Sequence, residues 1–333
     1  MNISEIKKLF KKQGFLDASL VSLEKSLSFE TYKAQIWNSN FGNMEYLKTH
    51  TDMKSPDKQV YKSALVALFP YYPTQNTLKS SLRIALYAQE EDYHRVVKEK
   101  LDHIIDDLKS DFPEENFKSC VDSYPVLERD LAYRAGLGWM GKNTCILTKE
   151  KGSLFYVCEI LSSYNCKSTP ELYSDHCGTC TKCIDACPTD ALSPRKLDVD
   201  KCISYRNIED KDSSVESLDK NLHGWLFGCD ICQTVCPWNE KTHGKKDMQE
   251  LTKDYTFSHE SLEELKIILS SSNKRLMEVY KDFPINRARG TGLKRNALKL
   301  IHQNKITELK GFLGGLAVPE KLEQLKLEVF NSL

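Results

Sequence analysis

Eight cysteines gathered between residues 177 and 236 constrain this chain more than any other feature of it. Cys177, Cys180, Cys183 and Cys187 follow the spacing C-x2-C-x2-C-x3-C, with Pro188 behind the last. Cys202 comes next, and then Cys229, Cys232 and Cys236, with Pro237 behind it. Thiolates separated by two residues let one tight loop hold three corners of a cubane, while the fourth lies beyond the loop's reach and serves a neighbouring cluster. The crossover rule assigns Cys177, Cys180, Cys183 and Cys236 to one [4Fe–4S] cluster and Cys187, Cys202, Cys229 and Cys232 to a second. Structural zinc is the competing reading, but zinc sites take ligands in two pairs and lack both the triplet and the trailing Cys-Pro. Two clusters side by side make a short electron wire.

The other four cysteines, Cys120, Cys145, Cys158 and Cys166, have no ligand spacing. The first three lie in apolar, strand-like segments, where buried bystander thiols are expected. The N-terminus alternates lysine with apolar residues, which is not a signal-peptide pattern, and no stretch approaches the length of a spanning helix. Twelve cysteines are then expected in a reducing cytoplasm, without membrane contact, as metal ligands or plain thiols. Forty-seven basic residues balance forty-seven acidic ones, so attraction to nucleic acid has to come from local clustering.

Around the cysteine segment the composition changes twice, predicting an α+β chain of three parts. Residues 1–165 are expected to form a mixed-sheet domain of the kind that holds a large planar cofactor. Residues 166–245 form a bacterial-ferredoxin-like two-cluster domain, stabilised by metal rather than by a core. Residues 246–333 form a helical, HEAT-like segment. Periodicity predicts a helix over 4–13 ended by Gly14, a buried strand over 64–69, and helix over 79–109. The apolar run continues to Tyr72 and stops at Pro73, but Pro70 trims the strand. Further strands are predicted over 117–121 and 145–148, the latter turning at 149–152 so that 153–161 returns beside it.

Two segments of the first part carry chemistry. In 121–129 (VDSYPVLER), Asp122 at a strand end is either a proton donor or an ordinary cap or ion-pair partner. In 135–144 (AGLGWMGKNT), three glycines within six residues form either a tight loop or a backbone able to approach a cofactor or phosphate. Lys142 is followed by Asn143, so the segment is no P-loop.

Taken in order, VDSYPVLERDLAYRAGLGWMGKNT, CGTCTKCIDACPTDAL and HGWLFGCDICQTVCPWN resemble the epoxyqueuosine reductases. That family comprises cobalamin-dependent iron–sulfur enzymes that complete queuosine in tRNA and are related to the reductive dehalogenases. The resemblance runs from Gly42-Asn43-Met44-Glu45-Tyr46-Leu47 to Arg295-Asn296. It implies that the clusters pass electrons to cobalamin, that low-valent cobalt acts on the epoxide, and that Asp122 supplies a proton. Asp92-Tyr93-His94 matches a family motif on a helix. Met44, Asn143 and Val157 fall where the family lines the corrin. No D-x-H-x-x-G motif appears, so the resemblance implies base-off cobalamin without a named histidine ligand.

The implied partner is a tRNA carrying epoxyqueuosine in its anticodon, together with an unidentified electron donor; the chain is expected to be a monomer. Residues 273–305 carry nine lysines and arginines against two acidic residues, either a solvated helix face or a phosphate footprint. The match around Leu293-Lys294-Arg295-Asn296 implies tRNA contact by Lys294 and Arg295, and Arg129 is placed to meet RNA near the active site. Two rivals remain. A dehalogenase-like enzyme for a small molecule would carry an export signal and lack the basic helices. A plain electron carrier would not need the first 165 residues.

Overall fold

Strands covered by helices on both faces organise the first half of the chain, as seen in a computed structural model describing residues 1–23, 26–38, 40–51, 54, 60–71, 77–166, 171–253 and 255–333. Tyr72 and Pro73, where the apolar run was expected to stop, lie outside these residues. The sheet has the order β1 (Asp17–Ser22), β2 (Ser63–Pro70), β7 (Phe155–Ser162), β4 (Phe117–Cys120). Every neighbouring pair in it is antiparallel, which corrects the mixed sheet expected from the sequence. The cause is topological. β2 and β4 run parallel across the crossover helix α3 (Tyr93–Asp111), but β7 inserts between them in the opposite direction, a split β-α-β arrangement.

Alternation along the strands serves two cores. Leu65, Ala67, Cys158 and Ile160 face α1 (Ile3–Lys12) and α3, meeting Ile6, Phe10, Val97, Leu101 and Ile104. Ala64, Val66, Leu68 and Leu161 face α4 (Glu128–Arg134) with Leu131, Ala132 and Ile146. Both faces are covered, so the strands read as continuous apolar runs. α1 occupies nearly the predicted span, and Asn2 caps it, its side chain accepting from the Ser4 N–H. α2 (Phe29–Trp37) lies outside this core and buries none of its residues.

Two local expectations are corrected. The helix predicted over 79–109 begins only at Tyr93, where the Asp92 carboxylate caps the first turn. The residues before it form β3 (Arg83–Ile84), paired in parallel with β10 (Trp225–Phe227), so cross-chain pairing overrides helical periodicity there. The segment after the 149–152 turn does not lie beside residues 145–148. Instead β6 (Ile146–Leu147) pairs with β5 (Trp139–Met140), and β7 leaves to fill the slot between β2 and β4. Only a Thr148–Gly152 bridge closes the turn.

The cysteine-rich lobe is built from short pieces: α5 (Lys182–Asp185), the hairpin β8 (Leu192–Ser193) and β9 (Lys196–Leu197), α6 (Ile203–Ile208) and α7 (Ile231–Thr234). α8 (Pro237–His243) and α9 (Lys245–Thr252) follow it, and Pro237 occupies the first turn of α8, where its missing N–H costs nothing. The tail is helical: α10 (His259–Ser270), α11 (Asn273–Val279), α12 (Arg289–Gln303), α13 (Lys310–Gly314) and α14 (Glu323–Ser332). Its core is shared. Leu82 and Ile84 from the first part and Leu226 and Phe227 from the lobe pack with Leu265, Leu298 and Leu325. Among the described residues no helix is long and apolar enough to cross a membrane.

Candidate active site

The lobe folds its eight spaced thiols into two neighbourhoods. Cys183 sits with Cys236, Cys177 and Cys180; burial pushes its thiol up to about 11, and their charges add to the shift. Cys229 and Cys232 sit with Cys202, and Cys187 lies beside both Cys229 and Cys202. Half-buried thiols that would repel one another as anions suit cationic iron, which offsets that repulsion on binding.

The glycine-rich segment secures this lobe to the sheet domain. The Lys142 ammonium donates to the carbonyls of Gly178 and Cys180 at 2.7 and 2.9 Å, fixing the loop of the first cysteine set. Trp139 is buried against Cys236, Trp238 and Cys177. Gly138 has to be glycine, because a Cβ there would come within 2.2 Å of the Leu147 carbonyl oxygen. The tight-loop reading therefore accounts for Gly138. A second fastener is Asn239, which accepts from the Ser153 N–H at 2.7 Å and donates to the Gln233 carbonyl. The Gly42 loop is a third: the Tyr205 hydroxyl accepts from the Asn43 N–H at 2.7 Å, and Asn43 also donates to Asp210.

Asp122 stands just past the end of β4 with a φ of 50°, in the left-handed region that a residue with a Cβ rarely adopts. Glu128 holds it there by accepting its main-chain N–H at 2.9 Å. The Asp122 carboxylate is exposed; the Tyr93 hydroxyl donates to Oδ2 at 3.1 Å, and His94 Nε2 lies 4.0 Å from the same oxygen. His94 Nδ1 is 2.7 Å from Asp92 Oδ1, and that hydrogen bond holds the imidazole above its ordinary pKa despite partial burial. The ring of Tyr93 stacks between His94 and Tyr156, each 4.1 Å away. Burial drives the Tyr93 phenol far up and the charge of Asp122 adds to it, so it is a donor at any working pH. Arg287, paired with Glu209 at 2.9 Å, places its guanidinium 5.6 Å from the Tyr46 ring. Its charge reaches His94, as that of Asp122 reaches Tyr46.

The sheet is less buried at one end. β7 is buried except at Tyr156 and Val157, and β2 except at Phe69 and Pro70, with Phe69 opposite Tyr156 in register. Met44, also half-buried, leads the short helical turn Glu45–Leu47. Asn143 is buried, donating to the Cys232 carbonyl at 3.2 Å and accepting from the Cys145 N–H. Cys145 neighbours Cys232, Cys236 and Cys183, and burial pushes its thiol up to about 11, so this bystander lies beside both thiol sets. Met44 and Val157 are thus left partly accessible, whereas Asn143 is buried with its amide engaged by the lobe.

The basic residues assigned to RNA are placed differently. Arg129 is exposed, but its guanidinium donates to the Thr144 carbonyl at 2.9 Å and ties α4 to the glycine-rich segment. Lys294 and Arg295 are corrected outright, for both are buried. Lys294 donates to the Leu269 carbonyl at 2.6 Å; Arg295 donates to the carbonyls of Asp210 and Arg206 and to the Asn296 side chain at 2.9 Å. Buried cations need such acceptors, so Lys294 holds α12 to α10 and Arg295 holds it to the lobe rather than facing solvent. Sequence reasoning did not single out Glu128 or Arg287. Glu128 was written in the 121–129 segment, and only its reach back to Asp122 gives it a role.

Eight spaced thiols in two neighbourhoods, in a chain that also carries an exposed aspartate past the end of β4, are the donor set a double-cluster iron–sulfur oxidoreductase needs, and the comparisons agree. Residues 176–239 match the family model "4Fe-4S double cluster binding domain", and residues 58–123 match "Epoxyqueuosine reductase QueG, DUF1730". The epoxyqueuosine reductase of Cyclobacterium marinum is 38% identical over 299 residues, covering 87% of this chain and 94% of that protein. The one from Leadbetterella byssophila is 34% identical over 299 residues, covering 88% and 96%. A crystal structure of epoxyqueuosine reductase with a tRNA-Tyr epoxyqueuosine-modified stem loop superposes with a TM-score of 0.80 at 25% identity, covering 99% of this chain and 91% of that one. The chain belongs to the epoxyqueuosine reductase family.

Proposed function

We propose that this protein reduces epoxyqueuosine to queuosine in the anticodon of tRNA, with electrons passing through two [4Fe–4S] clusters to cobalamin. One cluster takes Cys177, Cys180, Cys183 and Cys236, the other Cys187, Cys202, Cys229 and Cys232. Met44, Asn143 and Val157 would hold the corrin. The observation that carries the reading is Asp122: an exposed carboxyl on a left-handed backbone, met by Tyr93 and His94, in a chain related to this family over most of its length.

The clusters supply electrons one at a time, and cobalamin, when bound, supplies a low-valent metal able to act on the strained epoxide. The chain's own residues handle protons and position. Tyr93 and His94 converge on the carboxylate of Asp122, and Glu128 fixes its backbone. Asp122 protonates the substrate, and two electrons and two protons turn the epoxide into an alkene and water. The RNA lies against an exposed lip rather than against Lys294 and Arg295. Trp37 is 80% exposed and Tyr46 49%, and Lys33 and Lys48 share their stretch of chain, an aromatic and basic surface of the kind that takes unstacked bases. Arg129 stands near Asp122 as a further basic group on the RNA side.

The test is reconstitution with iron, sulfide and cobalamin, a one-electron reductant, and tRNA carrying epoxyqueuosine. Queuosine should form in the nucleoside digest. A protein loaded with both cofactors that leaves the epoxide untouched would sink the proposal.

A further inference from the structure

We infer that the half-buried Glu128 and the fully buried Glu159 are a proton-holding pair behind Asp122, and that Glu128 returns to Asp122 the proton it gives up, so that one exposed carboxyl serves both protonations of a turnover. The inference rests on the proposed reduction, which consumes two protons, whereas Asp122 carries one at a time.

Glu128 opens α4 and reaches back to the Asp122 N–H. Glu159 lies in β7 on the face that α4 covers, opposite Val66 in one neighbouring strand and Cys120 in the other. It is fully buried, and among the described residues neither of its carboxyl oxygens has a hydrogen-bond partner. An unpaired carboxylate in such a place would cost several kcal/mol, so Glu159 is held as the neutral acid. Burial and the charges of Glu128 and Asp122 all push in that direction. Burial, then the charge of Asp122, pushes Glu128 up to about 8, with Arg129 and the Asp122 N–H opposing. The other titratable group facing the pair is the Cys120 thiol, kept neutral by burial with Lys118 and Lys98 opposing; Cys158, next to Glu159 in the strand, points to the other face and is likewise kept neutral by burial. The surroundings thus keep protons on these carboxyls at neutral pH.

After Asp122 has protonated the substrate it is a carboxylate. The O–H bond of Glu128 breaks as a new one forms on Asp122, and Glu128 is left as the carboxylate until solvent protonates it again. No electrons move in this step; those of the reaction come from the one-electron iron–sulfur donors. Glu128 acts through Asp122 and is a positioning residue in that sense, while Glu159, without a hydrogen-bond partner among the described residues, stays the neutral acid beside it.

Glu128→Gln separates proton holding from loop holding, because the amide oxygen still accepts the Asp122 N–H. Single-turnover formation of queuosine by E128Q should fall about a hundredfold, the lower end for a lost acid. The alkaline limb near pH 8 should vanish from its rate profile, with affinity for the tRNA stem loop and cluster absorbance unchanged. Infrared spectra at neutral pH should contain protonated-carboxyl bands, one lost in E128Q and another in Glu159→Gln. Stability should respond too. The folded chain retains a Glu128 proton that the unfolded chain releases between 4.5 and about 8, so stability falls as pH rises through that window, and E128Q should flatten the fall. A wild-type rate and alkaline limb in E128Q would overturn the inference and leave Glu128 a structural tether. Absence of both infrared bands would overturn it as well. If wild type makes no queuosine, the infrared and stability measurements still decide the pair, and the failure belongs to the proposed reaction.

Discussion

At the scale of single residues, the protein concentrates unusual states around Asp122. Its left-handed backbone lies just past β4, the stacked Tyr93 and His94 open α3, and the unpartnered Glu159 lies in β7. Asp122→Asn keeps the shape and hydrogen-bonding capacity but removes the acid; turnover should fall by roughly 10²–10⁴-fold with the visible absorbance of both clusters intact. Full activity would remove Asp122 from the chemistry. The acid itself was visible in the sequence only through the family resemblance, since a strand-end aspartate is equally well a cap. What no reading of the sequence supplied was its support: Glu128 six positions on is neither a capping nor a helical partner, and the contact exists because the chain turns through a positive φ.

The elements differ in how openly their sequences declare them. The cysteine runs were legible because ligand spacing is local and chemical, and a loop that wraps a cubane needs no tertiary knowledge. Cys202 is the element-scale test of the second cluster. C202S should lower bound iron from about eight toward about four atoms per chain and leave the signal of the cluster on Cys177, Cys180 and Cys183; two intact clusters would refute the assignment. Helix α12 was misread for the opposite reason. Residues 293–301 are buried in an unbroken row, so α10, α11, α14, α6 and β10 enclose it on all sides. Charge counting assumes a solvent-facing stripe, and this helix has none there. Its Lys299 is fully buried, with no hydrogen-bond partner among the described residues, and burial together with Arg295 lowers its pKa to about 8. Stability should therefore rise between about pH 8 and 10.5 as the unfolded chain alone remains charged. Lys299→Met should stabilise at neutral pH by roughly 1–3 kcal/mol, seen as a higher melting temperature. Arg295→Ala should do the reverse, by about 2–3 kcal/mol, because it strands the acceptors it now satisfies.

For the whole molecule, the arrangement that matters is how the sheet, the cysteine-rich lobe and the helical tail are tied together. β3 pairs with β10, Asn239 and Lys142 fasten the lobe to the hairpin side of the sheet, and Asn296 donates to the carbonyls of Asn207 and Leu226. These ties hold the thiol-bearing lobe and the sheet in one frame. The cations at 294 and 295 are taken up inside it, whereas Trp37 and Tyr46 are exposed, and on the proposed reading the RNA lies against those two. Binding of an epoxyqueuosine-bearing stem loop should thus respond to the lip. Trp37→Ala and Tyr46→Ala should each weaken it by about 1–3 kcal/mol, the worth of a stacked base, with cluster absorbance and melting temperature unchanged. Lys294→Met should leave the salt dependence of binding as it is, since a phosphate contact would flatten the slope of log K against log salt by about 0.7–0.9. Equilibrium titrations at several salt concentrations distinguish the two surfaces. A flattened slope in K294M with unaltered binding in W37A and Y46A would move the RNA back onto the helical tail and require α12 to open on binding.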